Sequence, residues 1–135
     1  MITTLQAFLI ESAKEEGKKT IHLNGRLSKE SFVIRGLTVG EWEQTRKRAL
    51  NPSGKGGDRV DGIELTKQTI IAGCIDPNFK DEEFIKSCGC ITPSDLIDKV
   101  LLAGEATQLS KEIMKASGFD VDEKDLEKAR EEAKN

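Results

Sequence analysis

The sequence is poor in the residues that usually build catalytic sites and large cores. Its 135 residues include no tyrosine, one tryptophan, one histidine and three cysteines, and aromatic side chains make up 4% of the chain. The core is therefore mostly aliphatic, and folding is expected to bury about two-thirds of the unfolded surface. The single histidine, His22, has no acid or nucleophile beside it in the sequence. We predict a protein that is not an enzyme and that uses no cofactor.

The cysteines are too few for a zinc site, and the apolar residues are too dispersed for a membrane-spanning segment. Cys88-Gly89-Cys90 resembles half a metal site or a redox pair, but zinc needs four ligands, and Cys74 and His22 are distant in sequence. Small core-filling thiols are the interpretation that we favour, and we predict no metal site. No run of about 18 apolar residues occurs, and residues 1–10 lack signal-peptide features. We expect no membrane association and a cytosolic location.

Charge is plentiful but nearly balanced, since the formal net charge is −3. Residues 1–60 carry 11 basic and 7 acidic side chains, whereas residues 61–135 carry 10 basic and 17 acidic ones. This split suits weak head-to-tail self-association or a partner with a basic face, although two ordinary solvated surfaces explain it more simply. The short cluster Arg46-Lys47-Arg48 is too small to predict a nucleic-acid partner for an acidic protein.

A strong helix-start signal lies at Thr92-Pro93. Thr92 supplies a capping hydroxyl, Pro93 suits the first helical position, and Asp95 places a carboxylate at the positive end of the helix. Ile91 and Leu96 occupy the two positions of a hydrophobic staple. Together these residues predict a helix that begins at Pro93.

The same signal occurs earlier in the chain. Thr38 is followed by Glu41 at the capping-box position, and Leu37 and Trp42 occupy the staple positions. The helix that begins here is predicted to continue through residues 44–50. We interpret Trp42 as a core anchor rather than as a platform for a ligand.

Two amphipathic helices are predicted between residues 93 and 117. Their apolar faces comprise Leu96, Ile97, Val100 and Leu101 in the first, and Ala106, Leu109, Ile113 and Ala116 in the second. Gly104 marks either a break between two helices or a kink in one long helix. Gly118 ends the second helix at a position that tolerates positive φ, and Phe119 folds back on Met114.

The remaining segments are assigned from periodicity and composition. Residues 20–27 and 31–37 alternate as a β-hairpin, with His22 toward solvent, and the hairpin must pack on helices or extend another sheet. Further helices are expected over residues 2–17, 61–75 and 81–87, and a loop over 51–57. The helix at residues 2–17 either packs on its own domain or is presented to a partner. Residues 121–135 are a charged tail, either a frayed helix or disordered.

The order and spacing of these signals resemble the XkdN-like phage tail assembly chaperone family over roughly residues 20–120. The resemblance is carried by Glu41-Trp42-Glu43 after the hairpin, by Pro77-Asn78-Phe79-Lys80-Asp81, and by Lys99-Val100-Leu101 with Ala103-Gly104-Glu105. Cys88-Gly89-Cys90 departs from the family pattern, which has a plain glycine with apolar flanks. The matching motif residues, whose roles are mainly structural, are Thr38, Glu41, Trp42, Phe79, Thr92, Pro93, Gly104, Glu105, Gly118 and Phe119.

The resemblance implies a chaperone that binds and solubilises the tape measure protein during tail morphogenesis, with the tail tube protein as a further partner. It implies a location in the cytoplasm of the bacterial host and absence from the mature virion. A tape measure protein is a long helix with exposed apolar stripes, which a shallow apolar groove can shield. The groove is assigned either to the segment at residues 2–17 or to Leu96, Val100, Leu109, Ile113 and Met114. The alternative function is a virion structural or adaptor protein of the neck or tail.

In fold class we predict one α+β domain that is predominantly α-helical. A small β-hairpin packs with a cluster of about five or six helices over residues 1–120, followed by the charged tail at 121–135.

Overall fold

The computed structural model describes residues 18–51 and 59–119. The predictions for the first helix, for most of the loop at 51–57 and for the charged tail lie outside the described residues. The elements in chain order are β1 (Lys19–Ile21), β2 (Phe32–Ile34), α1 (Val39–Arg48), β3 (Leu50–Asn51), β4 (Arg59–Val60), α2 (Gly62–Gly73), β5 (Cys74–Asp76), α3 (Glu82–Ser87), α4 (Pro93–Val100) and α5 (Ala103–Ala116). The fold class is α+β and mostly helical, as predicted.

The hairpin is part of a three-stranded antiparallel sheet with the order β1-β2-β5. Ile21 pairs with Phe32, and Ile34 pairs with Cys74. The strands are shorter than predicted, because residues 22–31 form a connection in which Gly25 has a φ of 90°. His22 is exposed, as expected.

The helix predicted over residues 61–75 ends two residues early. α2 begins after Asp61, whose carboxylate accepts the N–H groups of Ile63 and Glu64, and it ends at Gly73. The next residues form β5, which pairs with β2 on the side opposite β1, and Arg35 N donates to Gly73 O (2.9 Å) at its start. A strand partner 40 residues away therefore overrides the local helical periodicity.

α1 also ends two residues earlier than predicted. Helical spacing predicted that α1 continues to residue 50, but it ends at Arg48, and Leu50 pairs with Val60 in a two-stranded sheet. Asp61 N donates to Ala49 O (2.8 Å), which ties this small sheet to the start of α2.

The start of α4 is confirmed in part. Thr92 Oγ1 accepts the N–H of Asp95 (3.1 Å), and Pro93 occupies the first turn. The predicted staple is wrong, because Ile91 is 89% exposed whereas Leu96 is fully buried. The chain enters α4 from a tight turn that closes α3, in which Gly89 has a φ of 72° and Cys90 N donates to Ile85 O. This turn directs Ile91 to solvent.

Residues 93–116 form two helices rather than one kinked helix. The break lies at Leu101-Leu102, and Gly104 belongs to the first turn of α5. α5 ends as predicted: Gly118 has a φ of 95°, and Phe119 N donates to Met114 O (3.1 Å), the pattern of a Schellman motif.

The core lies between the three-stranded sheet and the longer helices, with α2 packed against α1, α4 and α5. Trp42 lies at the edge of this core, half-buried, with its ring centroid 5.1 Å from that of Phe119. The buried hydrophobic residues that pack together in this core are Ile21, Leu23, Phe32, Ile34, Leu37, Ile70, Ile71, Cys74, Phe79, Ile85, Leu96, Ile97, Leu109 and Ile113.

Candidate partner-binding site

An open apolar cleft of about 350 Å³ lies where α2, α4 and α5 meet. Two large aliphatic side chains on it face solvent: Ile63 is 76% exposed and Leu102 is 59% exposed. Large apolar side chains that converge on one concavity are typical of protein-interaction sites. The cleft is lined by Ile63, Thr66, Lys67, Ile97, Asp98, Leu101, Leu102, Ala103, Ala106 and Thr107.

The junction that carries Leu102 is held by a charge pair between distant parts of the chain. Arg26 donates from Nε to Glu105 Oε2 (2.9 Å) and from Nη2 to Glu105 Oε1 (2.8 Å). It also donates to Val100 O at the end of α4 (2.7 Å). Glu105 is only 4% exposed, and its carboxylate accepts the N–H of Leu102 (2.8 Å). Arg26 thus ties the loop after β1 to both sides of the break between α4 and α5.

The hydrogen bonds from Arg26 lower the pKa of the Glu105 carboxyl, although burial acts in the opposite direction. Glu105 is therefore ionised at neutral pH, and its carboxylate accepts the N–H of Leu102 itself, the half of a capping box that needs no polar side chain at the N-cap position. A leucine at an N-cap position is unfavourable for the helix. Here the buried Glu105 satisfies the backbone, so that Leu102 can project at the edge of the cleft.

Lys67 forms the polar edge of the cleft on α2. Its ammonium lies 3.0 Å from Asp98 Oδ1 on α4 and 3.5 Å from Glu64 Oε2 on α2. Burial acts to lower the pKa of Lys67, but the hydrogen bond to Asp98 and the charge of both acids raise it overall. Asp98 is the more exposed partner, with 58% of its side chain accessible. The edge therefore offers a carboxylate to an incoming basic side chain.

The residues predicted to form the groove are divided by the structure. Leu96, Leu109 and Ile113 are fully buried in the core, whereas Val100 and Met114 are half-buried. The first three have no accessible surface for a partner in this conformation. Partner binding on this part of α4 and α5 stays a prediction.

The motif residues at the start of α1 form a polar cluster. Thr38 Oγ1 accepts Glu41 N (3.3 Å), and Glu41 Oε1 accepts Thr38 N (3.0 Å), which completes a capping box. Arg35 donates to both carboxylate oxygens of Glu41, at 2.9 and 2.6 Å. These bonds from Arg35 lower the pKa of Glu41 from 4.5 to about 2.

The other motif residues have packing and capping positions. Phe79 is almost fully buried, and its ring centroid lies 6.0 Å from that of Phe84. Thr92 and Pro93 begin α4, and Gly118 ends α5. Phe119 contacts Trp42, in addition to the backbone hydrogen bond to Met114.

The cysteines are distributed between the core and its edge. Cys74 is buried, and burial raises the pKa of its thiol to about 12. Cys88 and Cys90 are half-buried thiols packed against the core. Within residues 18–51 and 59–119, no group of three or more histidine, cysteine, aspartate or glutamate side chains has the arrangement of a metal site. None of the helices in those ranges is long and apolar enough to cross a membrane.

Sequence reasoning missed Arg26, Ile63 and Leu102 as site residues. Arg26 lies within residues 20–27, whose alternation predicted a strand and not a contact with Glu105, which is 79 residues away. Ile63 lies in the helix predicted over residues 61–75, and Leu102 lies just before Gly104, where either a break or a kink was predicted. The one local signal was Glu105, a motif residue at the third position of α5.

Comparisons with known proteins agree with this architecture. The crystal structure of the protein yqbn has a similar fold, with a TM-score of 0.60 and 14% sequence identity, and the match covers 89% of this chain and 100% of that chain. At this identity the likeness concerns the fold alone. No curated protein matches the sequence. The family model of the phage XkdN-like tail assembly chaperone protein matches residues 5–134. Because this match spans nearly the whole sequence, the chain belongs to the XkdN-like family of phage tail assembly chaperones.

Proposed function

We propose that this protein binds the tape measure protein of its phage tail, keeps it soluble while the tail assembles, and then leaves. Membership of a tail assembly chaperone family supports a phage tail protein as the partner. The observation that carries the proposal is the pair of exposed aliphatic side chains, Ile63 and Leu102, on one apolar cleft. The proposed ligand of the cleft is an amphipathic helix of the tape measure protein.

The size of the cleft suits side chains rather than a whole helix. A volume of about 350 Å³ accommodates a few aliphatic side chains. A helix that lies across the cleft would insert apolar residues spaced three, four or seven positions apart. Full burial of a leucine or isoleucine is worth about 1.5–3 kcal/mol, and Ile63 and Leu102 would each contribute part of this. Contacts of this strength permit later displacement by the growing tail.

The edge of the cleft adds selectivity without strong affinity. Asp98 is exposed enough to pair with a lysine or arginine of the incoming helix, and Thr66 and Thr107 offer hydroxyl groups. An exposed ion pair is worth about 0.2–1 kcal/mol. The apolar contacts therefore set the affinity, and the charges orient the helix.

Co-expression with the tape measure protein tests this proposal. The readouts are the soluble fraction of the tape measure protein and its co-purification with the wild type, with Ile63→Asp and with Leu102→Asp. Ile91→Asp is the matched control, because Ile91 is 89% exposed but does not line this cleft. We expect both cleft variants to lose co-purification and the control to retain it. Circular dichroism and thermal melts establish that all variants fold.

Two results would contradict the proposal. Undiminished rescue by both cleft variants would place the contact elsewhere, and an equal loss in Ile91→Asp would show a general effect of surface charge. The loss of rescue in one cleft variant alone would restrict the contact to that end of the cleft.

We place the protein in the cytoplasm of the bacterial host and outside the mature virion, with the tail tube protein as a second partner and weak self-association at high concentration. The proposal assigns no catalytic step and no cofactor. Quantitative mass spectrometry of purified particles tests the location: stoichiometric presence would favour a virion structural or adaptor protein of the neck or tail.

A further inference from the structure

We propose that the acidic segment that begins at Asp120 binds back onto α1 of the same chain, over a surface made of Val39, Trp42, Arg46 and Phe119 (the α1 surface). This contact is separate from the cleft, and it does not depend on the identity of the partner. The proposal rests on a fixed starting point, on exposed apolar side chains, and on basic side chains that form no ion pair within residues 18–51 and 59–119.

The starting point is set by the end of α5. Ser117 Oγ accepts the N–H of Leu37 (2.9 Å), directly before α1, and Phe119 N donates to Met114 O. The ring of Phe119 packs against that of Trp42, with 5.1 Å between the centroids. The chain therefore passes residue 119 in contact with the first half of α1.

The apolar part of the α1 surface is exposed. Val39 is 80% exposed and Phe119 is 40% exposed, and Trp42, whose ring packs against that of Phe119, is half-buried. Val39, Trp42 and Arg46 are spaced i, i+3 and i+7, which places them on one face of a helix. An exposed valine one turn before Trp42, together with the partly exposed ring of Phe119, is apolar surface that a short segment can cover.

The basic part lies farther along α1. Arg46, Lys47 and Arg48 are all exposed, and within the described part of the chain none of them makes an ion pair. Basic residues in the last turn of a helix stabilise it through the helix dipole, but each contributes only about 0.3–1 kcal/mol when exposed. Three adjacent positive charges retain a local potential that attracts acidic groups.

The sequence that follows Phe119 complements both parts. Residues 120–127 contain five acidic side chains and one basic one, together with Val121 and Leu126. From Trp42 to Arg46 the rise along α1 is only about 6 Å, so a few residues are enough to reach the basic cluster. The family match continues to residue 134, which places this segment inside the matched region.

Attachment to the same chain favours this ligand over an external one. A segment tethered directly at the α1 surface has a high effective concentration there, so weak contacts are enough to hold it. The ionic part of the contact must weaken as salt rises, because the Debye length falls from about 30 Å at 0.01 M to about 3 Å at 1 M.

Trp42 makes the contact measurable in the full-length protein. It is the sole tryptophan and the sequence has no tyrosine, so its fluorescence is selectively excited. We expect high salt to shift the emission of Trp42 to the red and to increase its quenching by acrylamide. Emission and quenching that do not change with salt while the protein stays folded would overturn the proposal.

Charge reversal distinguishes a specific contact from a general salt effect. The double variant Asp122→Lys with Glu123→Lys should expose Trp42 at low salt. The control double variant, Glu131→Lys with Glu132→Lys, makes the same change of charge farther along the chain and should leave Trp42 shielded. Arg46→Glu with Lys47→Glu, added to the first pair, should restore the shielding of Trp42. Equal effects of the two acidic pairs, or no restoration, would contradict the proposal. Shielding that disappears on dilution would assign the segment to a second copy and would overturn binding within one chain.

Discussion

Gly73 and Ile113 pack so closely that a Cβ atom on Gly73 would lie 2.4 Å from Ile113 Cγ2. Gly73 is the last residue of α2, and Ile113 is fully buried on α5. The missing side chain is what allows α2 and α5 to approach each other closely at this point.

Gly73→Ala is therefore expected to destabilise the fold. Overpacking a rigid core costs about 1–3 kcal/mol, of which the better helix propensity of alanine offsets up to about 1 kcal/mol. Urea denaturation monitored by circular dichroism measures the difference. Gly104→Ala is the matched control, because no heavy atom lies within 4 Å of a Cβ built on Gly104 and it also lies in a helix. A Gly73→Ala variant as stable as Gly104→Ala would contradict the close packing.

Arg26→Met is expected to lower the free energy of unfolding by about 1–3 kcal/mol, because it leaves the buried carboxylate of Glu105 without its charged donor. Methionine retains most of the apolar stem, so the loss reports on the charge. Lys29→Met, at an exposed base in the same loop, should change stability by less than about 0.5 kcal/mol. Chemical denaturation of both variants gives the comparison, and equal losses would show that Arg26 does not position the junction.

The ion pair between Arg35 and Glu41 predicts a dependence of stability on pH. Because folding lowers the pKa of Glu41 from 4.5 to about 2, its contribution is complete above pH 4.5 and is lost as the pH falls toward 2. We expect Glu41→Gln to be less stable than the wild type by about 1–3 kcal/mol at pH 7. This difference should shrink steadily below pH 4.5.

Denaturation curves recorded between pH 7 and pH 2 check this expectation. Glu43→Gln is the control, since Glu43 is an exposed acid on the same helix. A difference between the wild type and Glu41→Gln that is constant with pH would show that the charge of Glu41 does not stabilise the start of α1.

Local signals were sufficient for the ends of most helices. Thr38, Asp81 and Thr92 cap helices through atoms within three residues of themselves, so their sequence neighbours alone predict the outcome. The same holds for Gly118, because only a residue without a side chain readily adopts its positive φ. The predicted fold class followed from these boundaries.

The sequence predictions were wrong where a residue pairs with a distant part of the chain. Cys74 continues the helical spacing of α2, but it pairs with Ile34 in the sheet, and Leu50 leaves α1 to pair with Val60. In both cases a backbone partner elsewhere in the chain outweighed a weak local preference. Leu96, Leu109 and Ile113 were correctly read as apolar faces, yet periodicity does not tell a face that binds a partner from one that forms the core.

The sequence by itself determined where α1, α3 and α4 start, where α5 ends, the small aliphatic core and the resemblance to a family, because caps, glycines and apolar spacing act over a few residues. Only the tertiary structure decided which apolar residues remain exposed. Ile63 and Leu102 line one cleft because α2 packs on α4 and α5. The ion pair between Arg26 and Glu105, which are 79 residues apart in sequence, fixes the junction that carries Leu102. That arrangement depends on distances between segments, which no local pattern in the chain encodes.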